Sequence, residues 1–239
     1  MSEMVLCVPG CWKDRADLLG RIITVEPKGR YMYAGLVLAD LQVKEHVPLE
    51  FGEPDPDLGS AFELAGQGKI PEAMLEQVKA HTAIAYLRFP IGLSEERERV
   101  LKFSSILRQA GGLAVKVESA GIAHNWERWS ELLTGTPFDL YCAVVVLVAD
   151  EDQYYSCGMH HFGLPECAVP RAMPLPEAAE LLNQFNFWRM VETSALADGH
   201  TFSLTAASPR FRMTLGPDSR HAADDLFHNA HGVWSLRDV

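Results

Sequence analysis

No stretch of this chain approaches the roughly 20 apolar residues of a membrane span; the longest candidate, residues 143–149, has only the length of a strand. Positive charge is also scarce. Against 32 acidic side chains there are 21 basic ones, a formal charge of −11, which disfavours a nonspecific hold on nucleic acid or on an anionic lipid surface. The cysteines Cys7, Cys11, Cys142, Cys157 and Cys167 are odd in number and share no repeated short spacing, so a disulfide scaffold is excluded. No basic segment precedes Met4–Val8, which reads as a first strand and not as a secretion signal. The expected setting is therefore the cytoplasm, with reduced thiols.

Several catalytic signatures are missing as well. There is no phosphate-binding P-loop, dinucleotide fingerprint, G-x-S-x-G nucleophile elbow, H-E-x-x-H metalloprotease pair or nucleobase deaminase pattern. Nor is there a long linker, a low-complexity segment or a repeat of solenoid period.

What the chain does have is 239 residues, 48% of them hydrophobic and 22% charged, enough for one large domain or two small ones. Helical and strand periodicities alternate along it. Strands are expected at 4–8, 31–39, 83–89, 113–118 and 141–149, the second and last of these apolar on both phases and so covered on both faces. Residues 43–56 read as an edge strand with an exposed connection. Its acidic group Glu50, Glu53, Asp55 and Asp57 lacks the ligand spacing of a calcium loop.

Helices are expected after Pro71, after Ser94 as N-cap, after Ser119 and from Pro174 to Trp188. Asp150–Asp152 suggests a hairpin turn, and alternation around 201–205 and 210–215 suggests paired strands. The expected fold is a layered α/β (α+β) sandwich with a mixed or largely antiparallel sheet. It would form a single compact domain over 1–239, with candidate internal halves 1–90 and 91–239.

Two segments concentrate polar chemistry. Cys157-Gly-Met-His160-His161 continues to Gly163, Pro165, Glu166 and Cys167, a tight path where two imidazoles and two thiols could converge. The second, Glu118-Ser119 followed by His124, comes after a strand, where open sheets commonly bind ligands, and offers an acid and a base. Glu118, His124, His160 and His161 are candidate metal ligands. Cys157 is a candidate nucleophile activated by a neighbouring imidazole and oriented by Glu118 or Glu166. The bland alternatives are histidines capping loop carbonyls over buried thiols, and Ser119 capping a helix whose tryptophans fill the core. A further group, His221, Asp224, Asp225, His228 and His231, would bring His221, Asp225 and His228 near one face of a helix.

Three phrases, Tyr31-Met-Tyr-Ala-Gly-Leu-Val-Leu-Ala-Asp40, Gly111 to Gly121 with His124 and Trp129, and Tyr155-Ser-Cys-Gly-Met-His160 with Phe162-Gly-Leu-Pro165, resemble a bacterial family designated domain of unknown function 4261. The resemblance spans about Val5 to Cys167 or beyond. It implies a bacterial soluble protein and carries no activity or catalytic residue with it.

Since no catalytic pattern is complete, the first functional expectation is a noncatalytic module that binds a protein or small molecule, without cofactor. The alternative is a small-molecule hydrolase, metal-assisted through a divalent ion or thiol-based, with Glu118, Ser119, His124, Cys157, His160 and His161 as candidates. Self-association through the C-terminal strands is a third expectation.

Overall fold

The computed structural model describes residues 3–26, 28–192 and 195–239. The chain divides into two compact units, 3–135 and 136–239. Each has helices and its own sheet, and both sheets are largely antiparallel, as the hairpin turn at 150–152 suggests. The division follows residue 135, not residue 90, because the first strand pairs with strands on both sides of residue 90. Among the described residues, no helix is long and apolar enough to cross a membrane.

The N-terminal unit runs β1 (Glu3–Gly10), α1 (Arg15–Val25), β2 (Tyr31–Ala34), β3 (Val37–Asp40), β4 (Glu45–Gly52), α2 (Leu58–Gly66), α3 (Glu72–Lys79), β5 (Ala83–Pro90), α4 (Leu93–Gln109), β6 (Val115–Val117), β7 (Ile122–His124) and α5 (Trp126–Thr134). Its sheet order is β2-β3-β4-β5-β1-β6-β7. β1 is central, and Met4 to Val8 are buried on both of its faces. α4 is capped by Gly92, whose φ of +105° suits glycine, and not by Ser94, which lies within its first turn; the helix carries Glu95 and Glu96 in that turn and buries Val100, Phe103 and Leu107 as one stripe. Truncating one of those side chains to alanine removes about 2–5 kcal/mol.

Three further local expectations change in this unit. Residues 31–39 form a hairpin and not one strand, since Gly35 at φ +61° reverses the chain and leaves Met32 and Leu36 exposed. β4 is interior: its residues 45–48 pair with β3 and its residues 49–52 with β5. Pro48, which has no N–H to give a ladder, stands where the pairing changes side. The helix expected from Ser119 begins at Trp126, capped by Asn125, whose Oδ1 accepts from Arg128 N at 2.8 Å.

The C-terminal unit runs α6 (Pro137–Val144), β8 (Val146–Ala149), β9 (Gln153–Cys157), a 3-10 turn (Met159–Phe162), β10 (Glu166–Pro170), α7 (Leu175–Val191), β11 (Thr201–Phe202), β12 (Phe211–Gly216) and β13 (Val233–Asp238). The sheet order is β11-β12-β13-β10-β9-β8, with β10 and β13 as its parallel pair. The strand expected over 141–149 is instead a helix followed by an edge strand. Thr136 and Asp139 form a reciprocal capping box and Pro137 fits the first helical turn, so the apolar run is nucleated as helix until Val144. Cys142 accordingly lies on a helix.

α7 buries Ala178, Leu181, Leu182 and Phe185 against Tyr154, Val169 and Trp234 on one face of this sheet. Strand alternation turns Tyr155 to the other face. Residues 218–231 form turns, not the helix that the spacing of His221, Asp225 and His228 predicts.

Candidate functional site

The polar centre of the C-terminal unit begins where β9 ends. Gly158 has φ +123°, and a Cβ there would lie 2.0 Å from the carbonyl oxygen of Val144. Only glycine fits on both counts, and its turn carries the chain into the 3-10 segment that holds His160 and His161. Their rings lie 4.0 Å apart, and both side chains are buried.

Glu166, the first residue of β10, gathers this turn. Its Oε2 accepts from Ser156 Oγ at 2.7 Å. Its Oε1 accepts from Gly158 N at 3.1 Å, His160 N at 3.3 Å and Asn229 Nδ2 at 3.0 Å, and lies 3.2 Å from His160 Nδ1. A carboxylate surrounded by donors is an acceptor toward the imidazole as well, so Nδ1 carries a hydrogen. Nε2 of His160 is buried without a hydrogen-bond partner.

The network continues through Asn229, whose backbone N donates to Asp218 Oδ2 at 3.1 Å. His221 Nδ1 lies 3.1 Å from the same oxygen, while Arg220 donates to Oδ1 from its N at 3.2 Å and its Nε at 3.3 Å. Burial opposes ionisation of Asp218, but these hydrogen bonds and the Arg220 charge hold its carboxyl below the ordinary value. The Arg220 guanidinium stacks 4.0 Å from the centre of the Tyr155 ring.

Burial, and next the Glu166 charge, push the Cys157 thiol well up; burial and Glu166 do the same to Cys167. Burial therefore disfavours the thiolate of both cysteines near neutrality. Burial, with His160 beside it, pushes the His161 imidazole far below its ordinary value and keeps it neutral.

The other predicted residues belong to the N-terminal unit. Glu118 pairs with Lys116, and burial, then the Glu118 charge, push the buried Cys7 thiol up. Ser119 does not cap a helix; its Oγ accepts from Val5 N at 3.2 Å. His124 stacks on Trp129 at 5.9 Å. It pairs with Val115, at the end of the β6–β7 hairpin away from Glu118, so the two are separated by about 10 Å of strand and form no acid–base pair. This unit also buries His81, whose Nδ1 lies 2.7 Å from Val78 O and whose Nε2 accepts from Asp55 N at 3.0 Å.

No group of three or more His, Cys, Asp or Glu side chains placed to hold a metal ion is found among the described residues. Sequence spacing did not reveal Ser156, Asp218, Arg220 and Asn229 as members of the site. Asn229 and Glu166 are 63 positions apart, and only the parallel pairing of β10 with β13 brings their segments together. Comparison with known proteins yields no matching family model, no matching curated protein and no matching solved structure.

Proposed function

We propose that the C-terminal unit carries a small-molecule hydrolase site in which His160, oriented by Glu166, activates water. The observation that supports this is the asymmetry of the His160 ring: Nδ1 is held 3.2 Å from a carboxylate, and the basic Nε2 has no partner. That is the arrangement by which a carboxylate fixes the tautomer of a general base or of a metal-binding imidazole. The thiol route is the weaker form of the proposal, because Cys157 is buried and its thiolate disfavoured. Both imidazoles are shielded from solvent, so catalysis requires the turn at 159–162 to open toward substrate.

The resemblance to the bacterial family of unknown function, the acidic surface and the five cysteines, none of them in a disulfide, suit a protein of the bacterial cytoplasm acting on a small molecule. A noncatalytic binding module is the second reading. It is favoured by the saturation of Glu166, whose five donors are what a purely structural loop organiser needs.

The deciding experiment is hydrolysis of 4-nitrophenyl acetate and 4-nitrophenyl phosphate by the wild-type protein and by His160→Gln, with elemental analysis of both preparations. Turnover that falls about a hundredfold or more in the variant supports His160 as the base. Equal rates in the two proteins, or no turnover of either ester, return the unit to the binding reading. Near-stoichiometric metal lost with His160→Gln identifies the metal-assisted form.

A further inference from the structure

We infer that Arg220 is an oxyanion-recognition residue, and that the molecule taken by this site carries a carboxylate or phosphate group. That this molecule is a substrate rests on the hydrolase reading; the anion site itself rests on the geometry of Arg220. A guanidinium has five N–H donors in a rigid planar fork. In Arg220 only Nε is engaged, by Asp218 Oδ1, whereas Nη1 and Nη2 are buried and have no hydrogen-bond partner. Buried charged donors left unmatched are rare in folded proteins, and an oxyanion is the partner their fork geometry fits.

Two contacts fix the fork in place. Asp218 holds Nε from one side, and the face of Tyr155 supports the guanidinium plane at 4.0 Å. A side chain so constrained loses little freedom when it takes up an anion, and it accepts a bidentate oxygen pair that a lysine could not match. Asp218 is shared with His221 and with the backbone of Asn229, whose side-chain amide holds Glu166. The anion fork and His160 therefore belong to one hydrogen-bonded network within the C-terminal unit. Residues 217–232, which contain Arg220, carry no regular helix or strand, so the hydrogen bonds of Asp218 and Asn229 are what hold the fork in position.

Isothermal titration with sodium phosphate and, separately, sodium acetate, at ionic strength held constant with chloride, tests this on the whole chain. The expected result is saturable binding of at least one anion, weakened tenfold or more in both Arg220→Gln and Arg220→Lys, the second of which keeps the charge and loses the fork. The tighter of the two anions identifies the class. If Arg220→Gln does not fold, Arg220→Lys and Tyr155→Leu carry the comparison. No saturable binding of either anion, or equal binding by folded wild type and variants, overturns the inference. His160→Gln separates the two proposals: it should retain anion binding while losing turnover. Saturable binding by a wild type that never turns over an ester keeps the Arg220 site and removes hydrolysis alone.

Discussion

Each of the two units buries two histidines, of which His81 in the one and His160 in the other are used differently. In the N-terminal unit His81 spends both ring nitrogens on the backbone, at Val78 O and Asp55 N, tying the end of α3 to the loop before α2. In the C-terminal unit His160 commits Nδ1 to Glu166 and leaves Nε2 unmatched. Burial is common to both, so burial does not mark a functional imidazole; what distinguishes them is whether the second nitrogen has a partner. A satisfied pair of nitrogens stabilises a fold, whereas an unmatched buried nitrogen costs it stability, which is why the proposed site centres on His160.

The largest effect is expected at Glu166. Replacing it by alanine leaves Ser156 Oγ and Gly158 N without their buried acceptor and takes one of two acceptors from Asn229 Nδ2, which keeps Leu164 O, and a loss of about 3–5 kcal/mol is expected. Chemical denaturation, with hydrogen exchange of β9 and β10 amides to place the effect, measures it. A loss below about 1 kcal/mol would show that Glu166 does not organise this unit.

Next comes the reciprocal pair of imidazole variants. His81→Ala should remove about 1–3 kcal/mol of stability and leave ester turnover unchanged. His160→Gln should abolish turnover and perturb the melting midpoint less than Glu166→Ala does. Similar losses of stability from His81→Ala and His160→Gln, with turnover untouched by both, would make the two histidines equivalent and erase the contrast.

Acid titration gives a smaller effect. The folded-state pKa of His161 is depressed by burial, so below its ordinary value of 6.5 the unfolded chain takes up a proton that the folded chain refuses. Its contribution is therefore complete above pH 6.5 and lost as pH falls below it, at up to about 1.4 kcal/mol per pH unit. Denaturation midpoints between pH 7 and pH 5 should flatten in His161→Gln relative to wild type. An unchanged slope would assign the acid sensitivity to other groups.

The smallest expected signal is thiol reactivity. Cys11 is exposed, Cys142 intermediate, and Cys7, Cys157 and Cys167 buried. In the folded protein 5,5′-dithiobis(2-nitrobenzoic acid) should label Cys11 fast, Cys142 slowly and the other three only after denaturation. Rapid labelling of Cys157 would revive the thiol form of the hydrolase.

Elements whose signals are local are legible in the amino-acid sequence alone. Pro71 and Pro174 open helices, Asp150–Asp152 turns β8 into β9, and Phe211, Met213 and Leu215 fall on a strand, because each signal acts within a few residues. Expectation and fold part where one local signal overrides another. The apolar pattern of 141–149 satisfies a strand, but the capping box at Thr136 and Asp139 commits its first half to helix. At 31–39 a single glycine converts one apparent strand into two.

By itself the sequence determined the α+β class, the acidic character, the absence of a membrane-spanning helix among the described residues, and the tight glycine-bearing path through His160, His161 and Glu166. Tertiary structure decided which polar groups meet. It separated Glu118 from His124 by the length of a hairpin, and it joined Glu166 to Asn229, Asp218 and Arg220 from across the chain. The reason is physical. Periodicity and caps report energies between residues a turn or a strand apart, whereas a buried carboxylate must be satisfied by whatever donors the packed sheet delivers, however distant in sequence.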